Sequence, residues 1–334
     1  MAFRFAPAAL IAALALGLLV ACMGQRQQIT PGLAGAGSER SEATPLVSGP
    51  LVYVAHVIGQ ESRATSVISI VSLKGSVVGE ITGYGYTWGI CLDGSGNLWA
   101  LNYDRAHWYI DKFPRGATKA SHEFLVSKQL SELDGCAVDP NSGDLAVLAL
   151  TLDGGPVVLV WRGAHVGTPA QQYRAPFPLL DAAYDNAGNL FVTGWWGGSD
   201  WIFDMGELPK GGTKVTPVNL NKHTYQPGDV QWDGTYVVVS TRLERERYPR
   251  LYRVQVPPGP TGQRINGSVV QIVSLHGSSS ADSGRMLFVL NSGSVIAPAT
   301  YDGNHIWKWA YPAGGKAVGS VAKYDRINRI AISN

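Results

Sequence analysis

The sequence predicts an all-β protein built from one repeated four-stranded unit, and three observations carry that prediction. Glycine takes 40 of 334 positions and proline 19, while only 16% of residues are charged, against average usage of roughly 7% Gly and roughly 25% charged. Both residues break helix interiors, and one or the other recurs every few positions, which excludes helical bundles and coiled coils. A hydrophobic content of 45% with 10 tryptophans supports a sizeable core and excludes disorder. The third observation is periodicity. Marker aspartates at 93, 139, 185, 233, 282 and 325 follow one another at 46, 46, 48, 49 and 43 residues, a period typical of repeat architectures.

Each copy reads the same way. An apolar strand reaches the Asp, whose side chain caps a turn. A Gly able to take positive φ follows in most copies, and then a second strand begins. Ile90-Cys91-Leu92-Asp93-Gly94-Ser95-Gly96-Asn97-Leu98-Trp99 and Ala182-Ala183-Tyr184-Asp185-Asn186-Ala187-Gly188-Asn189-Leu190-Phe191 are the clearest copies, and the pattern is that of a β-hairpin. A third strand then ends at Pro114-Arg115-Gly116, Pro209-Lys210-Gly211, Pro257-Pro258-Gly259 or Pro312-Ala313-Gly314. Fourth strands follow, as at Glu123 to Val126 and Ser268 to Val273. Four strands in about 40–50 residues describe a β-propeller blade. Six four-stranded blades are expected, with seven as the alternative. The last inner strand closes the ring beside the N-terminal strands, although Ile330 to Ser333 and Leu51 to Val57 both read as second strands.

The Asp-x-x-Gly-Asn-Leu-(Phe/Trp) and strand-Pro-x-Gly steps resemble the NHL-repeat and gluconolactonase-like propellers, over Leu51 to Asn334. For the gluconolactonase-like enzymes the resemblance implies a divalent metal held by carboxylates and Asn at the channel.

The chain also carries an address. Residues 1–21 read as a signal peptide: Arg4 supplies a positive start, and Ala8 to Val20 is apolar but shorter than a membrane span of about 20 residues. Leu19-Val20-Ala21-Cys22 resembles the lipobox of bacterial lipoproteins, which implies lipidation at Cys22 and anchoring through several acyl chains. Residues 22–49 then form a flexible tether, rich in Gly, Ser, Ala and Gln, and residues 50–334 the propeller. Cys91 and Cys136 lie in no CxxC or zinc-type spacing and are expected as two buried free thiols, with a disulfide as the alternative.

For function, the loops before the inner strands and after the second strands matter, because in propellers they open around the central channel. Trp88, Asp134, Asp181 and Asp229 fall in the first set, and Trp195 and Trp196 in the second. All six are candidate ligand-binding residues; adjacent Trp195 and Trp196 should point to opposite faces. The run Arg242 to Arg247 reads as a solvated loop. No Gly-x-Ser-x-Gly elbow, His-Glu-x-x-His or phosphate loop occurs, and the seven histidines are scattered singly. A net charge of +2 without a basic run excludes nucleic acid as a partner class. The expectation is a lipid-anchored, extracytoplasmic propeller of the cell envelope that binds a protein or glycan without chemistry. The alternative is a metal-dependent lactonase-type hydrolase, with calcium held by the acidic channel mouth.

Overall fold

The computed structural model describes residues 48–333, apart from 60–64, 105, 127–128, 168–169, 197–201, 225–227, 242–248, 259–263, 277–286 and 300–304 and the side chains of Trp196, Ile202 and Ala299. The signal segment, Cys22, nearly all of the tether, Asp282 and the Arg242 to Arg247 run lie outside the described residues.

The chain is a succession of antiparallel meanders. Strands β1 (Leu51–Ile58), β2 (Thr65–Ser72) and β3 (Val77–Tyr84) come first. The second sheet is β4 (Tyr86–Leu92), β5 (Leu98–Asp104), β6 (His107–Phe113) and β7 (His122–Leu125). The third is β8 (Leu130–Val138), β9 (Leu145–Thr151), β10 (Pro156–Trp161) and β11 (Gln171–Arg174). Two further quartets are β12 (Leu179–Tyr184), β13 (Leu190–Trp196), β14 (Ile202–Leu208) and β15 (Thr216–Leu220), then β16 (Val230–Trp232), β17 (Val237–Thr241), β18 (Arg250–Gln255) and β19 (Ile265–His276). Parallel pairing of β15 with β19 joins these two quartets into one larger sheet. The last sheet is β20 (Val289–Asn291), β21 (Ser294–Ala299), β22 (His305–Ala310) and, after the short β23 (Gly315–Lys316), β24 (Gly319–Lys323). Finally β25 (Ile327–Ser333) pairs antiparallel with β1, giving the order β25-β1-β2-β3.

That closure settles which strand is which. β25 stands first in its sheet and β1 second, so only Leu51 to Val57 is a second strand. It also shows that two markers are out of phase. Asp93, Asp139, Asp185 and Asp233 each sit between a first and a second strand, whereas Asp325 lies between β24 and β25 and Asp282 precedes β20. In the β20–β21 hairpin the turn is Asn291-Ser292-Gly293, where Asn291 Oδ1 accepts the Ser292 amide at 2.8 Å. Those residues therefore form a hairpin turn between β20 and β21.

At the four in-phase markers the Asp caps its turn as expected. Asp185 Oδ1 accepts the amides of Ala187 and Asn189, both at 2.8 Å, and Oδ2 accepts Asn189 Nδ2 at 2.9 Å. Asp93 repeats the arrangement with Ser95 and Asn97. This is turn chemistry, and it employs both carboxylate oxygens. Between sheets, alternate residues bury against the neighbour: Trp99, Leu101 and Ile110 of the second sheet pack with Leu145, Val147 and Leu159 of the third.

Cys91 and Cys136 form a disulfide with a Cα–Cα distance of 5.6 Å, so the expectation of free thiols is wrong. The reason is the repeat itself. The two residues are 45 apart, close to one period, so they occupy matching positions on the first strands of neighbouring sheets, β4 and β8. In the chain-entropy model a cross-link closing a loop of that length stabilises by about 4 kcal/mol. The double change Cys91→Ala and Cys136→Ala should lower the unfolding free energy in urea by roughly 2–4 kcal/mol.

Glu207 on β14 is 4% exposed, and its Oε2 has no hydrogen-bond partner among the described residues. Burial, with a lesser push from Asp185, raises its carboxyl to about 7. The folded state therefore keeps a proton that the unfolded chain has already lost, so stability falls as pH rises from about 4.3 through 7. Replacing Glu207→Gln should raise stability by about 1–3 kcal/mol at pH 8 and leave it unchanged near pH 4, read from urea midpoints at the two pH values.

Candidate functional site

Sequence reasoning placed Trp88, Asp134, Asp181 and Asp229 at strand entrances, and the structure brings all four to one centre. It does so through a residue that the sequence reading passed over, Arg329 on β25. The Arg329 side chain is only 3% exposed. Its Nε donates to the Trp88 carbonyl at 3.1 Å, and Nη2 donates to the carbonyls of Leu180 at 2.9 Å and Asp134 at 3.4 Å. Nη1 lies 3.3 Å from Asp229 Oδ1. The guanidinium therefore lies on the axis, among the first strands of three other quartets and the head of a fourth.

Local irregularities create its acceptors. The β4–β5 register shifts between Thr87 and Gly89, the β8–β9 register between Leu133 and Cys136, and the β12–β13 register between Leu179 and Asp181. Trp88, Asp134 and Leu180 are thereby left out of their ladders. A bulge turns a backbone group away from its partner strand, and these three carbonyls turn to Arg329. Close backbone approach holds the bulges together. A Cβ on Gly89 would meet the Asp134 carbonyl oxygen at 2.5 Å, and one on Gly135 the Leu180 carbonyl oxygen at 2.8 Å. Glycine is required at both positions.

The carboxylates satisfy the free inner edges of the first strands. Asp181 Oδ2 accepts the Val230 amide at 2.9 Å, and Asp229 Oδ2 accepts the Phe288 amide at 3.2 Å. Gln231 continues the pattern, accepting the Leu290 amide at 2.8 Å and donating to the Phe288 carbonyl at 2.9 Å. An unpaired buried N–H is costly, and these side chains supply what an adjacent strand would. Burial raises the Asp181 carboxyl well above the usual range, and repulsion from Asp229 adds to this, while Arg329 and two amides oppose it.

Below this layer a cavity of about 430 Å³ follows the axis toward the hairpin-turn end, past Cys91, Cys136, Tyr184 and Trp232 to Asp93 and Ser333. At the other end Trp88 belongs to an aromatic cluster. Its ring centroid is 6.2 Å from that of Tyr86 and 6.4 Å from that of Trp108, and Tyr103 lies 4.9 Å from Trp108. Trp108 is anchored by its Nε1 donating to the Ser131 carbonyl at 3.2 Å, while Tyr103 is 38% exposed. Trp195 is half-buried on β13, its amide donating to Pro178 at 3.1 Å. Trp196 follows it on the strand, but its side chain and residues 197–200 lie outside the described residues.

A divalent metal fits this centre poorly. A guanidinium already stands against Asp229 and the bulged carbonyls, and among the described residues no three His, Cys, Asp or Glu side chains are placed to hold a metal ion. The signal that could have found Arg329 is a lone charge in a strand flanked by Ile327, Ile330, Ala331 and Ile332.

No protein-family model matches the chain, and no curated protein matches its sequence. Solved structures do match. TolB from Acinetobacter baumannii is 13% identical with a TM-score of 0.57, over 85% of this chain and 66% of that one, just under two thirds of its length. A functionally unknown protein from Desulfotomaculum acetoxidans DSM 771 is 15% identical with a TM-score of 0.50, over 84% and 89%. At such identities the likeness is one of fold. With the all-β succession of antiparallel sheets, it shows that this chain folds as a β-propeller.

Proposed function

We propose that this chain is a six-bladed, lipid-anchored extracytoplasmic propeller that binds a protein or glycan partner at its aromatic rim and does no chemistry at its axis. The observation that carries the reading is Arg329, because its guanidinium already takes the Asp229 carboxylate and the bulged carbonyls at the channel, where the resemblance to gluconolactonase-like enzymes implies a metal. Asp134 gives it a backbone carbonyl, Asp229 a carboxylate oxygen, and Asp181 braces the neighbouring strand. These residues serve the ring rather than a substrate. The binding surface is then the rim around Tyr86, Trp88 and Tyr103, where aromatic faces stand beside Asp104 and His107, a composition suited to recognition.

The count of six is supported by the sheet order, with the joined sheet read as two quartets and β25 completing the first blade. The resemblance to NHL-repeat propellers remains one of motif. Export is supported by the disulfide, since such bonds persist in oxidising compartments, and by the lipobox at Cys22. Residues 1–21 are read as the removed signal, 22–49 as the tether and 50–334 as the propeller.

Three experiments test this reading. Calcium or zinc should shift the melting temperature of the full chain by less than about 1 °C; a rise of several degrees that Asp181→Asn and Asp229→Asn abolish would favour the hydrolase. The change Cys22→Ala should move the protein from the membrane to the soluble fraction of the cell envelope. On that soluble form, Tyr86→Ser with Tyr103→Ser should abolish capture of envelope partners that the parent retains.

A further inference from the structure

The outer strands of this propeller are treated unequally. β15 and β19 pair in parallel, with Val218 opposite Ile265 and Leu220 opposite Gly267, and β19 continues onto β23, with Leu275 opposite Gly315. Those neighbouring sheets are stitched edge to edge. In contrast, among the described residues β7 pairs only with β6, and β11 only with β10. Along β7 the Val126 amide donates to the Trp108 carbonyl at 2.9 Å. Antiparallel alternation then turns the backbone of His122 and Phe124 toward β6 and leaves the N–H and C=O of Glu123 and Leu125 facing outward.

Beside this open edge, between the second and third sheets, run two adjoining cavities of about 480 and 410 Å³ that share Val166 and Gly167. Trp99 and Phe124 form one wall, and Leu159 and Trp161 the other. Trp99 is 1% exposed, and its indole N–H has no hydrogen-bond acceptor among the described residues. Leu125 stands 59% exposed at the edge. Lys112, which also pairs with Asp93 at 3.5 Å, lines one end with His122 and His165, and no carboxylate lines either cavity among the described residues.

We propose that this groove takes an extended peptide, which adds to β7 as a further strand. Its backbone pairs with Glu123 and Leu125, its apolar side chains enter the groove at every second position, and its carboxylates face Lys112, His122 and His165. Strand addition gives affinity through main-chain hydrogen bonds and selectivity through pockets for alternate side chains. The molecule supplies its own precedent, since β15 and β19 join the outer edges of two neighbouring sheets by main-chain pairing. The basic end and the lack of acids select an acidic, apolar-alternating partner over a basic one. Its lining residues are distinct from Tyr86, Trp88 and Tyr103 of the rim.

The test uses the full chain and a blocked, fluorescein-labelled nonapeptide of alternating valine and glutamate, read by anisotropy. Two variants act on different parts of the groove. Glu123→Pro removes an outward N–H while sparing the bonds to β6, a substitution that edge strands tolerate. Gly167→Trp places an indole in the groove; a Cβ there meets nothing within 4 Å, and the melting temperature of the variant checks that the fold is kept. Saturable binding to the parent is expected, weakened about ten-fold or more by each variant and about ten-fold or more when the peptide's valines and glutamates are sorted into two blocks. If one variant melts below the parent, the other decides. The proposal is overturned by absence of saturable binding, by binding that a correctly folded variant leaves intact, or by self-association through β7 that Glu123→Pro abolishes and the peptide does not affect.

Discussion

Arg329 reaches from the last strand of the chain to backbone carbonyls on three other sheets and to a carboxylate at the head of a fourth. A charge buried on the axis of a propeller is expensive unless nearly every donor is used. Here the acceptors come from bulges at matching places in successive sheets, with Trp88, Asp134 and Leu180 each dropped from its ladder. Bulge, glycine and guanidinium depend on one another. Without Gly89 and Gly135 the bulged carbonyls stand too far apart, and without the guanidinium they face each other unpaired. Since Arg329 belongs to β25, the pairing of β25 with β1 that closes the ring also seats the residue that fills its centre.

This arrangement divides the molecule into regions with different tasks. The axis is committed to structure at the Arg329 level, and Asp181, Asp229 and Gln231 pass hydrogen bonds from one first strand to the next. The periphery is joined on one side through β15, β19 and β23. The two surfaces proposed for recognition are the aromatic rim around Trp88 and the edge beside β7. Both flank the second sheet, whose first strand the Cys91–Cys136 disulfide ties to the third. A rigid support under a recognition surface limits the entropy lost on binding.

Much of the fold was legible because the repeat is written in turn chemistry. The in-phase aspartates cap hairpins through their own carboxylates, and that local geometry survives any tertiary context. The two out-of-phase markers, Asp282 and Asp325, misled because an Asp beside an apolar strand reads alike whether it precedes or follows a first strand. The disulfide was legible in principle: two cysteines one period apart are neighbours in a ring, although their spacing fits no local motif. For the site, the residues gathered at the centre were named but neither their place nor their role was: Trp88, Asp134 and Asp181 lie inside first strands, and only Asp229 precedes one. Trp88, Asp134 and Leu180 act through carbonyls, which no side-chain pattern announces, and the cation that gathers them is about 150–240 residues away in sequence.

The central claim is that the Arg329 guanidinium is a structural part of the ring rather than a bystander to a ligand site. A double-mutant cycle on Arg329→Met and Asp229→Asn, followed by urea unfolding at neutral pH, measures it most directly. The account predicts that Arg329→Met alone costs about 3–5 kcal/mol, because it strands a buried carboxylate and three carbonyls, and that Asp229→Asn in the same chain recovers part of the loss. An Arg329→Met protein as stable as its parent, with no coupling to Asp229, would contradict it.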